Sequence, residues 1–175
     1  IGLADDKGKG LLERLRSLPM SRGAAMGGRV LADTIRNTVI VTVMLLVGFL
    51  VGFDTGTNAW MVLLGMFVLV FFGTSLAWLF VIVGLSVANA EAAQAAAFPL
   101  LAPLTFASSL FVDPSTMPGW LGWWAERQPV SATATAVRAC MLGGATARDV
   151  TTALLWAAGI SVVLAPIAIR RARSI

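Results

Sequence analysis

Long apolar segments without any charged side chain constrain this chain more than any other feature. Four of them stand out, at 38–53, 59–85, 92–112 and 151–169. A membrane-spanning helix needs about 20 mostly apolar residues. Unpaired backbone groups are not tolerated in hydrocarbon, and the segments are continuously apolar rather than alternating, so they predict helices and argue against a membrane barrel. The sequence therefore predicts an all-α membrane protein with four transmembrane helices.

The basic residues predict how these helices are oriented. Seven of the 13 Lys and Arg residues precede residue 37, three follow residue 169, and three lie between. Because flanks rich in Lys and Arg stay in the cytoplasm, both ends of the chain are predicted to be cytoplasmic, including the tail 170–175. An even number of spans agrees with this. The segment 113–150 is then a large outer segment.

Within the outer segment, "DPSTMPGWLGWWAERQP" predicts a short helix after Pro118. It carries Trp120, Trp123 and Trp124. Trp favours the headgroup region, where its ring is in an apolar environment and its N–H is hydrated. We expect an outer interfacial or re-entrant helix that lies in or dips into the membrane surface without crossing it. A second helix is predicted to end at Gly143.

Two further features concern the last two spans. Pro99 and Pro103 each remove a backbone hydrogen bond and crowd the preceding turn, which predicts a helix kink. Prolines are ordinary in membrane helices, so the kink could be a matter of shape alone or a hinge beside a substrate path. Thr146 and Asp149 have the spacing of a capping box at the start of the last span.

The region 10–37 is predicted to be a cytoplasmic coupling region. An amphipathic helix ends at Pro19, and a second helix continues into the first span. Its apolar face consists of Leu11, Leu12, Leu15 and Leu18. Glu13, Arg14 and Arg16 lie on the other faces. Physical reasoning leaves two roles open, an anchor on anionic lipid or a docking surface for a soluble partner.

Several classes of chemistry are excluded by the residues themselves. The chain has no histidine, and Cys140 is its single cysteine, so His triads, internal disulfides and zinc sites made of several cysteines are ruled out. No segment fits the phosphate-binding P-loop pattern. The spans contain no ionisable residue that could relay protons. We therefore predict no catalytic residue, cofactor, metal or nucleic-acid partner, and a transporter of this kind would need a separate ATPase.

Three separated segments resemble the membrane subunit of type-2 ABC exporters, in the daunorubicin-resistance branch. They are "GLLERLRSLPMSRGAAMGGRVLADTIRN", "ANAEAAQAAAFPLLAPLTFASSLFV" and "STMPGWLGWWAERQPVSATATAVRACMLGG". The resemblance implies six spans, of which this chain would hold the last four as a fragment. It also implies an ATP-binding subunit and a second permease subunit, identical or related, as partners in the bacterial cell membrane. The residues that would contact the ATPase are Glu13, Arg14, Arg16, Pro19 and Arg22.

The resulting expectation is a permease subunit that exports an amphiphilic drug, a lipid or a related substrate and is not itself an enzyme. The alternative is a structural or assembly subunit that does not transport, such as a truncated pseudo-permease. A membrane-embedded enzyme is disfavoured because Asp113, Glu126 and Asp149 are scattered along the outer segment without a reactive cluster. The sequence leaves the substrate open.

Overall fold

The computed structural model of the chain describes residues 22–87, 89–106, 108 and 116–174. These residues form helices joined by short turns and contain no strand. The helices are α1 (Arg22–Leu50), α2 (Ala59–Ser86), α3 (Ala90–Phe106), α4 (Gly119–Arg127), α5 (Pro129–Leu142) and α6 (Ala147–Ser174). The predicted all-α class is confirmed.

Three of these helices are long and apolar enough to cross a membrane. They are the segment Val30–Leu50 of α1, the whole of α2, and the segment Ala147–Arg171 of α6. The third predicted span begins as α3, which has 17 residues. Residues 107 and 109–112, which would complete this span, lie outside the described part of the chain. A fourth crossing therefore stays a prediction.

A glycine turn ends α1 before the predicted end of the first span at residue 53. Gly52 has a φ of 97°, in the left-handed region that residues other than glycine rarely adopt. Its N–H donates to the carbonyl of Phe49 at 3.1 Å, and the N–H of Phe53 donates to the carbonyl of Gly48 at 2.9 Å. This pair of hydrogen bonds is a Schellman motif, which closes the helix after Leu50 and turns the chain back toward α2.

Asparagine side chains begin the next two helices. The Asn58 side-chain oxygen accepts the N–H of Met61 at 3.0 Å, at the start of α2. The Asn89 oxygen accepts the N–H of Ala92 at 2.8 Å, at the start of α3. Each bond satisfies an amide that has no partner within its helix.

The predicted capping box at α6 is confirmed. The Asp149 N–H donates to Thr146 Oγ1 at 3.2 Å. In return, the N–H and the hydroxyl of Thr146 donate to Asp149 Oδ2 at 3.2 and 2.6 Å. Because this box fixes the first turn, α6 begins at Ala147, four residues before the predicted start of the last span at 151.

α2 is the central helix and contacts α1, α3, α5 and α6. At one end of the bundle, α1, α2 and α6 meet in a cluster of Val30, Val81, Leu85 and Ala168. At the other end, α2, α5 and α6 meet in a cluster of Val68, Ala136 and Ala153. We call this second end the turn end, because the α1–α2 turn lies there. Small alanines at these contacts allow the helix backbones to approach closely.

Candidate functional site

Most of the predicted ATPase-contacting residues lie outside the described part of the chain. These are Glu13, Arg14, Arg16 and Pro19. Arg22 is the first residue of α1. From that point α1 continues without a break for 29 residues, which corresponds to about 43 Å. Residues 22–37 of the predicted coupling region and the first span therefore form one continuous helix.

Hydrogen bonds between hydroxyl groups connect α1, α2 and α6 at the same height along α2. Thr34 Oγ1 of α1 lies 3.0 Å from Thr74 Oγ1 of α2. The next residue of α2, Ser75, is fully buried and accepts a hydrogen bond of 2.9 Å from the hydroxyl of Ser161 on α6. α2 is thus hydrogen-bonded to both α1 and α6 through adjacent residues. Bonds of this kind contribute about 0.6 kcal/mol each on average in membranes, and they fix the relative height of the helices.

The segment that is predicted to lie on the outer side contains a pair of helices, α4 and α5, which we call the α4–α5 hairpin. α4 begins after Pro118 and carries the three predicted tryptophans on its exposed side. The exposed fractions are 75% for Trp120, 60% for Trp123 and 38% for Trp124. The residues of α4 that are buried are small, Gly122 and Ala125. This short helix therefore rests its small residues on the protein and leaves its tryptophans available to lipid or to another subunit.

A single residue, Gln128, joins the two helices of the hairpin. Its N–H donates to the carbonyl of Trp124 at 3.1 Å, and Pro129 follows as the first residue of α5. Proline is favoured there because it lacks the N–H that would be unpaired at a helix start. The guanidinium of Arg127 lies 4.7 Å from the centre of the Trp123 ring, a cation–π contact that orders the end of α4.

α5 lies against α2 from the turn end inward. The hydroxyl of Thr57 donates to the carbonyl of Cys140 at 2.8 Å. Two glycines permit this close approach. A Cβ added at Gly56 would lie 2.7 Å from the carbonyl oxygen of Leu142, and one added at Gly65 would lie 3.1 Å from Cys140 Cβ. The carboxyl end of α5 is thus held beside the α1–α2 turn, and its 14 residues are too few to span a bilayer.

The remaining predicted residues lie on α3. Pro99 and Pro103 are both exposed, and the helix continues past each of them to Phe106. The kink stays a prediction. In the part of the chain that the structure describes, no three His, Cys, Asp or Glu residues lie close enough together to bind a metal ion.

The sequence also matches a known family directly. Residues 1–142 match the model of the ABC-2 type transporter family. The chain belongs to this family. The match covers α1 to α5 and ends at Leu142, the last residue of α5. Together with the apolar helices, it makes the chain a multi-pass membrane protein of the ABC-2 type.

Two relatives extend the similarity through α6. The chain is 36% identical, over 172 residues, to a daunorubicin resistance ABC transporter permease protein of Streptomyces coeruleorubidus. It is 32% identical, over 170 residues, to a probable doxorubicin resistance ABC transporter permease protein of Mycobacterium tuberculosis. These matches cover 98% and 97% of this chain but 61% of each relative. No solved structure shows significant similarity to the chain.

Proposed function

We propose that this chain forms part of the permease subunit of an ATP-driven exporter in the bacterial cell membrane, with both ends of the chain in the cytoplasm. Its membership in the ABC-2 family is the observation that carries the proposal. The names of both relatives describe drug-resistance permeases, which supports export and antibiotic resistance as the biological role. The substrate class that we propose is an amphiphilic drug, a lipid or a related molecule.

The composition of the helices supports an external energy source. No Asp, Glu, Lys or Arg occurs anywhere in α2, or in α6 between Asp149 and Arg170. A transporter driven by an ion gradient uses ionisable residues at membrane depth. Their absence from these helices fits a permease that receives its energy from a separate ATP-binding subunit and performs no hydrolysis itself. A second permease subunit would complete the transport path.

The continuity of α1 supports a mechanism for this coupling. An ATPase that pushes on Glu13, Arg14 and Arg16 would move the amino end of α1, which follows the bend predicted at Pro19. Because α1 is one helix to Leu50, the push would be carried into the membrane. The hydroxyl bonds at Thr34 and Ser75 would then pass it to α2 and α6.

A charge reversal at Glu13 tests this proposal against the anchor alternative. The complete polypeptide is co-expressed with its ATP-binding subunit, and co-purification and permease-stimulated ATP hydrolysis are measured. We expect Glu13→Arg to lower both, because like charges placed at a contact cost several kcal/mol. The matched control is Asp6→Arg, which makes the same charge change outside the predicted amphipathic helix and should alter neither.

Two results would contradict the proposal. A lipid anchor should bind anionic membranes better after Glu13→Arg, since an added cation near such a surface contributes about 1 kcal/mol. Unchanged ATP hydrolysis and stronger membrane binding would therefore favour the anchor. If no ATP-binding subunit co-purifies with the complete polypeptide, the alternative of a structural subunit that does not transport is favoured.

A further inference from the structure

A groove of about 400 Å³ runs between α2 and α5. Phe72 of α2 and Val130 of α5 line one end of it, and Phe53 and Leu142 line the other, at the turn end. The volume lies within the range of about 300–1,000 Å³ that is usual for sites of small molecules. The Thr57–Cys140 hydrogen bond joins the two walls at the turn end.

The length of the groove corresponds to one leaflet of a bilayer. The part of α5 from Val130 to Leu142 measures about 18 Å at about 1.5 Å per residue. The hydrocarbon of one leaflet is about 15 Å deep, half of the total of about 30 Å. Since one end of the groove lies beside the α1–α2 turn, the other end reaches approximately to the middle of the membrane. An acyl chain that enters the groove at the headgroup level would therefore extend along its whole length, to about the middle of the membrane.

Two polar side chains line the groove, Thr133 and Arg138, and they differ in whether their hydrogen-bond donors are used within the protein. The other lining residues are apolar. The hydroxyl of Thr133 donates to the carbonyl of Pro129 at 2.9 Å and is used within α5. Among the described residues, Asp33 and Glu126 are the carboxylates that pair with arginines, and neither pairs with Arg138. The exposed Arg138 therefore offers its guanidinium donors to a ligand.

Arg138 also lies at the right height for a headgroup. It precedes Leu142 by one turn, about 6 Å along the helix axis. A long arginine side chain at this depth extends its charge to the membrane surface while its stem covers apolar surface. Guanidinium groups recognise phosphate oxygens through paired, charge-assisted hydrogen bonds.

We infer that the groove binds an anionic phospholipid, with one acyl chain between α2 and α5 and the phosphate on Arg138. This goes beyond the proposed transport function, because the lipid is a resident part of the protein and not its cargo. The charge of Arg138 selects the headgroup, and the apolar wall of Phe72 and Val137 receives the chain. Under the proposed topology the lipid belongs to the outer leaflet, whereas the binding itself does not depend on orientation.

Photochemical labelling tests this site. The complete polypeptide is reconstituted in phosphatidylcholine nanodiscs with a trace of phosphatidylglycerol that carries a diazirine in one acyl chain. After irradiation, we expect mass spectrometry to find the label on the peptide that contains α5. Arg138→Gln should reduce this labelling about tenfold, the effect expected for the loss of a charge-assisted hydrogen bond. Arg138→Lys, which keeps the charge, should restore part of it.

Matched controls separate recognition of the headgroup from general disturbance. Arg148→Gln removes an exposed arginine that does not line the groove and should leave the labelling unchanged. A phosphatidylcholine probe with the same diazirine should label less, because its choline cation offsets the phosphate charge, and Arg138→Gln should reduce this labelling by a smaller factor than that of the phosphatidylglycerol probe. Ala134→Phe fills the groove and should reduce labelling by both probes. Each variant is compared by its unfolding temperature, so that loss of fold is detected.

Three outcomes would overturn the inference. Equal labelling of wild type and Arg138→Gln would show that the headgroup is not recognised. No labelling of α5 in the complete polypeptide would mean that another part of the chain or a second copy covers the groove. Labelling that disappears during ATP-driven turnover would assign the groove to a transported molecule.

Discussion

At the scale of single residues, two glycines decide how close α5 can come to α2. The contact at Gly56 is made with the carbonyl oxygen of Leu142, which is main chain and cannot rotate away. The contact at Gly65 is made with the side chain of Cys140, which is fully buried. The sequence did not reveal either role, because glycines are common both in turns, where Gly56 lies, and in apolar segments, where Gly65 lies, and the residues that they approach are far away along the chain.

Gly56→Ala is expected to destabilise the protein by about 1–3 kcal/mol, the usual cost of overpacking. The added Cβ would lie 2.7 Å from the Leu142 oxygen, so the α1–α2 turn must move away from α5. Unfolding by sodium dodecyl sulfate in mixed micelles measures the change. Gly159→Ala in α6 is the matched control, because its Cβ would meet no atom within 4 Å. An equal effect of both substitutions would contradict this role of Gly56.

At the scale of helices, the apolar segments and capping signals predicted where helices lie, but they did not predict the contacts between helices. The apolar segments at 59–85 and 151–169 became α2 and the centre of α6, and the capping box at Thr146 is formed as predicted. The end of α1 was missed, since the apolar segment continues to residue 53 whereas the positive φ of Gly52 ends the helix earlier. The hydrogen bond between Ser75 and Ser161 joins residues that are distant in sequence, and no local pattern indicates such a pair.

The helix α4 is expected to dip into one leaflet without crossing the membrane, because its nine residues extend about 13 Å. Its carboxyl end joins the amino end of α5, so Trp120 at the opposite end should lie nearest to the headgroups. Single-Trp proteins, in which Trp60, Trp78, Trp156 and two of the three α4 tryptophans are replaced by Phe, are quenched by lipids labelled at graded depths. We expect shallow labels to quench Trp120 most strongly. Strongest quenching of all three α4 tryptophans at the bilayer centre would exclude an interfacial helix.

At the scale of the whole molecule, the sequence predicted the class of protein but not its surfaces. The family, the all-α fold and the membrane-spanning helices follow from apolar length and from three motifs in order. The groove beside Arg138 was not predicted, because it depends on how α5 packs along α2. In the sequence, Arg138 is one of three arginines in the predicted outer segment. These arginines slightly reduce the excess of Lys and Arg at the two ends, which is the excess that predicts the orientation.

Both ends of the chain are expected to face the cytoplasm, with the α4–α5 hairpin on the opposite side. The physical reason is the concentration of Lys and Arg at the two ends, which resist translocation. Single cysteines are introduced at Ser174 and at the exposed Thr116 in a Cys140→Ala background, and intact cells are treated with a thiol reagent that does not cross membranes. We expect labelling at 116 but not at 174, and labelling at both positions after the cells are opened. Labelling of 174 but not 116 in intact cells would reverse the topology, and Arg138 with its groove would then face the inner leaflet.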